Sequence, residues 1–198
     1  MRTSNKGFDY CYNAQAAVDE DHQIILSADV TDQANDKHQA VPMAKAARDN
    51  LQAKGILPSA DSSTNTAIAH RRFRIVATLD SGYHSEQAVE QLERLGFDPH
   101  MSTGRQKHHD PQAGPSTGVP PVGATPKERM AHKLRTQRSR QEYAKRKHIV
   151  EPVFGQIKGA RGFRRFLVRG LTKVCGEWNL VCLSHNLLKI WRYRCANA

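Results

Sequence analysis

Three patterns in the sequence predict an α/β fold. Two apolar, β-branched runs within residues 12–31 read as an antiparallel hairpin. A strand–helix–strand unit follows over 74–103, and helical periodicity resumes over 127–159 and 172–193.

Each element has a local reason. "YNAQAAV" at 12–18 is the first strand, "DEDH" at 19–22 is turn chemistry, and "QIILSADVT" at 23–31 is the second strand. Asn35 or Asp36 is the expected cap of a helix running to Gln52. That helix has Ala40, Met43, Ala44, Ala47 and Leu51 on one face, Pro42 in its first turn and Gly55 at its close. Residues 58–70 are small and polar and read as a loop. "RIVAT" at 74–78 is a short, continuously apolar strand. Ser85 is the expected N-cap of a helix over 85–96, with Ala88, Leu92 and Leu95 inward and Gly96 as the stop. "FDPHMST" at 97–103 completes a βαβ unit, for which a parallel strand pair is expected.

Residues 104–126 are rich in Pro, Gly and polar residues and read as a flexible insertion. One helical stretch is expected from 127 to about 159, with Pro152 starting or kinking a helix within it. The last helix carries Val174, Trp178, Val181, Cys182, His185, Leu188 and Ile190. So broad an apolar surface predicts a helix largely buried, with Trp178 and Trp191 as packing residues and His185 as a satisfied core histidine. The chain thus divides into a core portion at 1–103, the insertion at 104–126, and a basic helical portion of the same core at 127–198.

Composition narrows the function. Hydrophobic residues make up 38%, somewhat lean for a packed domain. No apolar run approaches the ~20 residues that span a bilayer, and "MRTSNKGFDYCYNAQ" lacks a signal-peptide core. A cytoplasmic protein with no membrane partner is expected. The four cysteines form no C-x-x-C pair and read as free thiols. Charge is strongly segregated. Residues 1–100 hold 10 Lys/Arg against 14 Asp/Glu, whereas residues 101–198 hold 20 against 5. A basic half on an acidic half points to a polyanionic partner, most simply nucleic acid.

Two acids stand out. Asp80 ends the apolar strand in "RIVATLDSGYHS", at the mouth of a sheet, where ligands bind. It reads either as a turn cap or as half of a metal site, since Mg²⁺ prefers carboxylate oxygens. Glu151 is the only acid between Glu142 and Glu177. Around it stand Lys145, Arg146, Lys147, Lys158, Arg161, Arg164 and Arg165. It reads either as a charge-neutralising surface residue or as an active-site acid on a DNA-binding face. Lys158, seven residues on, shares its helical face and could hold a phosphate beside it.

The segments "YNAQAAVDEDHQIILSADVTDQANDK", "ATLDSGYHS" and "YAKRKHIVEPVFGQIKGARGFRRFLVRG…EWNLVCLSHNLLKIWR" resemble the C-terminal half of bacterial insertion-sequence DDE transposases, most closely the IS4-type grouping. The resemblance implies a ribonuclease-H-like fold, here incomplete. It implies three acids holding two Mg²⁺ ions that cut and rejoin DNA, with transposon ends and target DNA as partners. Asp80 matches the second acid and Glu151 the third. The Tyr…Arg…Glu…Lys signature falls on Tyr143, Arg146, Glu151 and Lys158. Four residues separate Arg146 from Glu151 where the family has three, so Lys147 is the other candidate for the basic position. Arg161, Arg164 and Arg165 extend the DNA-binding set.

Nothing matches the first acid, although Asp9, Asp19, Asp29 and Asp32 are present. The expectation is therefore a truncated, inactive transposase with an incomplete metal site, acting as a homodimer or complemented by a full-length enzyme. The competing expectation is a basic nucleic-acid-binding module without catalysis.

Overall fold

The computed structural model describes residues 11–58, 75–104 and 115–197. Asp9, Arg74, most of the expected 58–70 loop and residues 105–114 of the expected insertion lie outside these. The described residues are mixed α/β with two small sheets, and the chain divides into two compact units. One comprises residues 1–35, 42–57 and 147–198; the other comprises 36–41 and 58–146.

In the first unit, β1 (Asn13–Val18) pairs antiparallel with β2 (Ile25–Thr31), with a register shift at Ala17/Val18. The connecting turn is closed by Asp19. Its carboxylate accepts the backbone N–H groups of His22, at 2.8 Å, and of Ile24, while its own N–H donates to Ile24 O. Asx turns of this kind explain why "DEDH" reverses the chain. Helix α1 (Ala40–Ala53) follows and ends at Gly55, whose φ of 68° favours a residue without a Cβ. Met43 and Ala47 face inward as expected. The helix starts later than expected. Residues 36–39 form a turn closed by Gln39 N–H to Asp36 O, so neither Asn35 nor Asp36 stands at the cap.

The core of this unit forms where β1 and β2 meet helix α5 (Leu171–Ala196). Ile25, Val30, Val153, Ile157, Val174, Trp178 and Cys182 are buried together. The Trp178 ring stacks on Phe154 at 5.8 Å and 15°, and Phe163 and Phe166 lie against it. Its indole N–H donates to Gln15 O at 2.9 Å, so the large ring is buried with its one polar atom satisfied. Burial pushes the Cys182 thiol up to about 12, which leaves it unreactive.

Helix α5 departs from expectation on its other side. Leu180, Leu183, Leu187, Ile190, Trp191 and Tyr193 are all exposed, Leu180 to 67% and Trp191 to 62%. The helix is apolar on two faces, and only the face carrying Val174, Trp178, Cys182 and His185 is covered. Trp191 is therefore not a core residue. No helix among the described residues is long and apolar enough to cross a membrane.

In the second unit, β3 (Ile75–Leu79) and β4 (Phe97–Met101) pair in parallel, joined through helix α2 (Glu86–Arg94). Ser85 caps α2 by accepting the Ala88 N–H, and Ala88, Val89 and Leu92 are its buried residues. Helix α3 (Pro126–Arg135) packs on β4 and begins with a full capping box between Thr125 and Glu128. Ser116 in the preceding segment donates to His132 O at 2.6 Å.

The single helix expected from 127 onward is two. Thr136 has extended backbone, and helix α4 (Gln137–Gly155) starts after it. The Thr136 hydroxyl donates to Lys133 O at 2.8 Å and accepts from Ser139 N–H, closing one helix and opening the next. Helix α4 then runs through Pro152 and passes into a π-helical turn over Gln156–Ala160. Pro152 therefore does not start a helix.

Candidate functional site

Asp80 sits at the end of β3, where extended backbone gives way to the 3₁₀ turn Ser81–Tyr83. Its carboxylate accepts the Ser81 N–H at 2.7 Å, so the turn-cap role is realised. The other oxygen lies 3.6 Å from Arg146 Nη1. The side chain remains 56% exposed, so this pair adds little to stability. Gly82 is tight against Asp36: a Cβ there would come within 3.2 Å of the Asp36 carboxylate. His84 follows, and partial burial together with the Lys127 charge holds its imidazole below the ordinary range, toward the neutral form.

Tyr143, Arg146, Lys147 and Glu151 all lie on α4. The Arg146 guanidinium stands 5.7 Å from the Tyr143 ring centroid, a cation–π distance. Arg146 thus joins a ring on its own helix to the carboxylate of Asp80. Lys147 and Glu151 are exposed, and among the described residues neither makes a hydrogen bond or ion pair.

Just beyond Glu151 the chain forms an open cleft of about 520 Å³ lined by Phe154, Gly155, Lys158, Gly159 and Arg164. Gly155 and Gly159 leave its floor bare, with no heavy atom within 4 Å of where either Cβ would stand. Lys158 Nζ lies 5.5 Å from the Phe154 ring centroid, and Arg164 Nε donates to Lys158 O at 3.3 Å. Two cations and an aromatic edge around a glycine floor suit an anionic backbone that must approach closely.

The expected cations do not behave alike. Arg165 is exposed with no partner among the described residues. Arg161 turns inward, its Nη2 3.3 Å from Nδ1 of the fully buried His185. Burial, aided by the nearby Arg192 charge, holds Arg161 below its ordinary range. His185 Nε2 donates to Gln23 O at 2.9 Å, and burial disfavours its charged form, so it is the satisfied core histidine expected.

Missed in the sequence was Gln23, which has a left-handed φ of 58° and bonds to α4 and α5. The only local hint was a non-glycine residue directly after an Asx turn.

Two of the acids that match no motif are bonded to the backbone. Asp19 closes the hairpin turn, and Asp29 accepts the Val30 N–H at 2.8 Å. Among the described residues no three of His, Cys, Asp and Glu converge to hold a metal ion. Asp80 and Glu151 are hard oxygen donors of the kind Mg²⁺ takes. Two carboxylates, one already bonded to a backbone N–H and paired with an arginine, do not make the donor set that two ions require.

No curated protein and no solved structure matches the chain. A family model described as a transposase DDE domain matches residues 119–191. Asp80 lies outside the match. Tyr143, Arg146, Lys147, Glu151 and the whole glycine-floored cleft lie inside it, and the match supports a DDE transposase.

Proposed function

We propose that this chain is a DDE-type transposase protein, of the IS4-type grouping, that holds DNA on its basic helical part. The observation that carries the reading is the stretch matched to the transposase domain. There an exposed, unpaired Glu151 precedes a cleft in which Lys158 and Arg164 flank a bare glycine floor. Lys158 and Arg164 would bind backbone phosphates, with Lys147 and Arg165 adding charge at the rim. Arg146 and Tyr143 would hold the segment leading to Glu151. Arg161 would act from within the unit by setting the turn after the cleft. Asp80 and Glu151 are the second and third acids of the family's set in a ribonuclease-H-like arrangement. Families of this kind use a divalent metal, and among the described residues no group of three His, Cys, Asp or Glu side chains completes such a site. On this reading the chain alone binds DNA and does not carry strand transfer to turnover, and a transposase that carries the first acid would supply what is lacking.

Fluorescence anisotropy with a short mixed-sequence duplex tests the first half. Affinity should fall steeply with salt, because each neutralised phosphate releases counterions with a log–log slope of about −0.9. Lys158→Ala and Arg164→Ala should each flatten that slope by about one phosphate. No binding, or binding indifferent to salt, would falsify the DNA reading. A strand-transfer assay with Mg²⁺ or Mn²⁺ tests the second half, and robust turnover by this chain alone would overturn it. A pure binding module is the second reading, favoured by the Ser81 and Arg146 contacts that give Asp80 a structural role. On that reading Asp80→Asn and Glu151→Gln leave affinity unchanged with and without Mg²⁺.

A further inference from the structure

Pro152 lies inside α4, yet the helix continues through it to Gly155. Proline has no N–H, so the carbonyl four residues earlier, His148 O, loses its helical donor. The site is exposed, so water can also meet this carbonyl, but helices commonly bend where a proline interrupts the hydrogen-bond ladder. Here the missing donor comes from elsewhere in the sequence. Gln23 Nε2 donates to His148 O at 2.9 Å across a separation of 125 residues.

The rest of Gln23 is also engaged. Its Oε1 accepts from Lys189 Nζ at 2.7 Å. Its backbone oxygen accepts from His185 Nε2 at 2.9 Å, and His185 Nδ1 in turn meets Arg161 Nη2 at 3.3 Å. These partners fix the amide orientation, since flipping it would set oxygen against the His148 carbonyl and NH₂ against an ammonium. The residue holds this pose at a φ of 58°, a region that non-glycine side chains visit at a cost. Such strain persists when several contacts over-determine it, and here three groups from two helices do so.

We propose that Gln23 is a positioning residue whose side-chain amide replaces the N–H absent from Pro152. It thereby lets one unbroken helix present Glu151 and then lead into the π-turn that carries Lys158. The same residue holds that π-turn at its far end through His185 and Arg161. The hairpin turn thus sets the geometry of both ends of the segment between Glu151 and Arg161. The helix claim stands on the contacts alone; its bearing on DNA rests on the function proposed above.

Two substitutions isolate the amide donor. Gln23→Glu keeps the side-chain length, the φ cost and an oxygen for Lys189, and replaces the donor with a charged acceptor. Gln23→Met keeps the length and removes both polar atoms, without setting a second carboxylate near a carbonyl. Segment-resolved hydrogen exchange on the full chain should show amides of residues 153–158 exchanging roughly five- to tenfold faster in both variants. Pro152→Ala restores a backbone N–H to His148 O. In that background Gln23→Glu should exchange within about twofold of its parent, because the two changes act on one bond. An equal loss with alanine or proline at 152 would overturn the proposal, as would unchanged exchange in the single variants. The duplex-binding assay on the same proteins separates the two claims. If the unsubstituted chain does not bind DNA, the functional reading fails while the exchange coupling still decides the role of Gln23.

Discussion

The two units are held together by different chemistry. The first closes on aromatic rings, with Trp178 between Phe154, Phe163 and Phe166 and its N–H satisfied by Gln15. The second has a smaller apolar core around Leu92, Phe97 and Met101, and it adds a charged anchor. Lys133 Nζ reaches from α3 to Asp98 Oδ1 at 2.5 Å and Pro99 O at 2.7 Å, while buried His100 approaches the other Asp98 oxygen at 3.4 Å. Dispersion and burial respond little to pH; a half-buried carboxylate responds strongly. The two units should therefore fail under different insults, and that difference can be measured.

The largest effect should come from Trp178→Ala. It removes the ring around which the first core is built, and such truncations cost about 3–5 kcal/mol. Urea unfolding should show that loss, and hydrogen exchange should show it concentrated in β1 and β2. An equal loss of protection in β3 and β4 would erase the distinction between the units.

Lys133→Met comes next, at about 1–3 kcal/mol, because it leaves a carboxylate and a carbonyl without their donor. It also has a pH signature. Hydrogen bonding to His100, reinforced by Lys133 and opposed by partial burial, holds the Asp98 carboxyl well below the usual carboxylate range. A carboxyl depressed in the folded state contributes stability that is fully present above its ordinary value of about 3.9 and is lost as pH falls through the folded value. The second unit should therefore weaken in acid below about pH 4. Lys133→Met should show less of that acid sensitivity, and an identical acid profile would remove Asp98 as its source.

The smallest effects separate the two acids. Asp80 accepts the Ser81 N–H, so Asp80→Ala should cost about 0.5–1 kcal/mol, as loss of a cap does. Glu151 has no partner among the described residues, so Glu151→Gln should stay within about 0.5 kcal/mol of the parent. A large thermal shift from Glu151→Gln would give that residue a structural role and weaken its functional one.

The legible parts of the molecule are those in which cause and effect are close in sequence. Ser85 caps α2 and Gly55 ends α1 because the relevant groups lie within a turn of each other. The hairpin and the parallel β3–β4 pair follow from apolar runs bounded by turn residues. The face shared by Glu151 and Lys158 was expected from α-helical spacing, which gives way to a π-helical turn at Gln156–Ala160 before Lys158 is reached. The break at Thr136 was not legible: helical periodicity continues across it, and its two hydrogen bonds need both helices in place. The Thr125–Glu128 capping box was in plain view and would have marked the start of α3. For α5, composition showed two apolar faces and could not say which has a neighbour. Arg161 looked like its neighbours Arg164 and Arg165, because its turn toward His185 depends on a residue 24 positions away.

The layout of the first core also has a consequence for synthesis on the ribosome. Gln15 O waits for an indole N–H that lies 163 residues further along the chain. At roughly 5–20 residues per second, β1 and β2 stand without their covering helix for on the order of 10–30 s. Through that interval the hairpin lacks Trp178, and Val153 and Ile157 of the same core are made only about twenty residues before it. The second unit draws its strands from a span of fewer than thirty residues and has no such delay. Within this stretch the newly made chain is thus most vulnerable at β1 and β2, and they are released from that vulnerability only when α5 has been made.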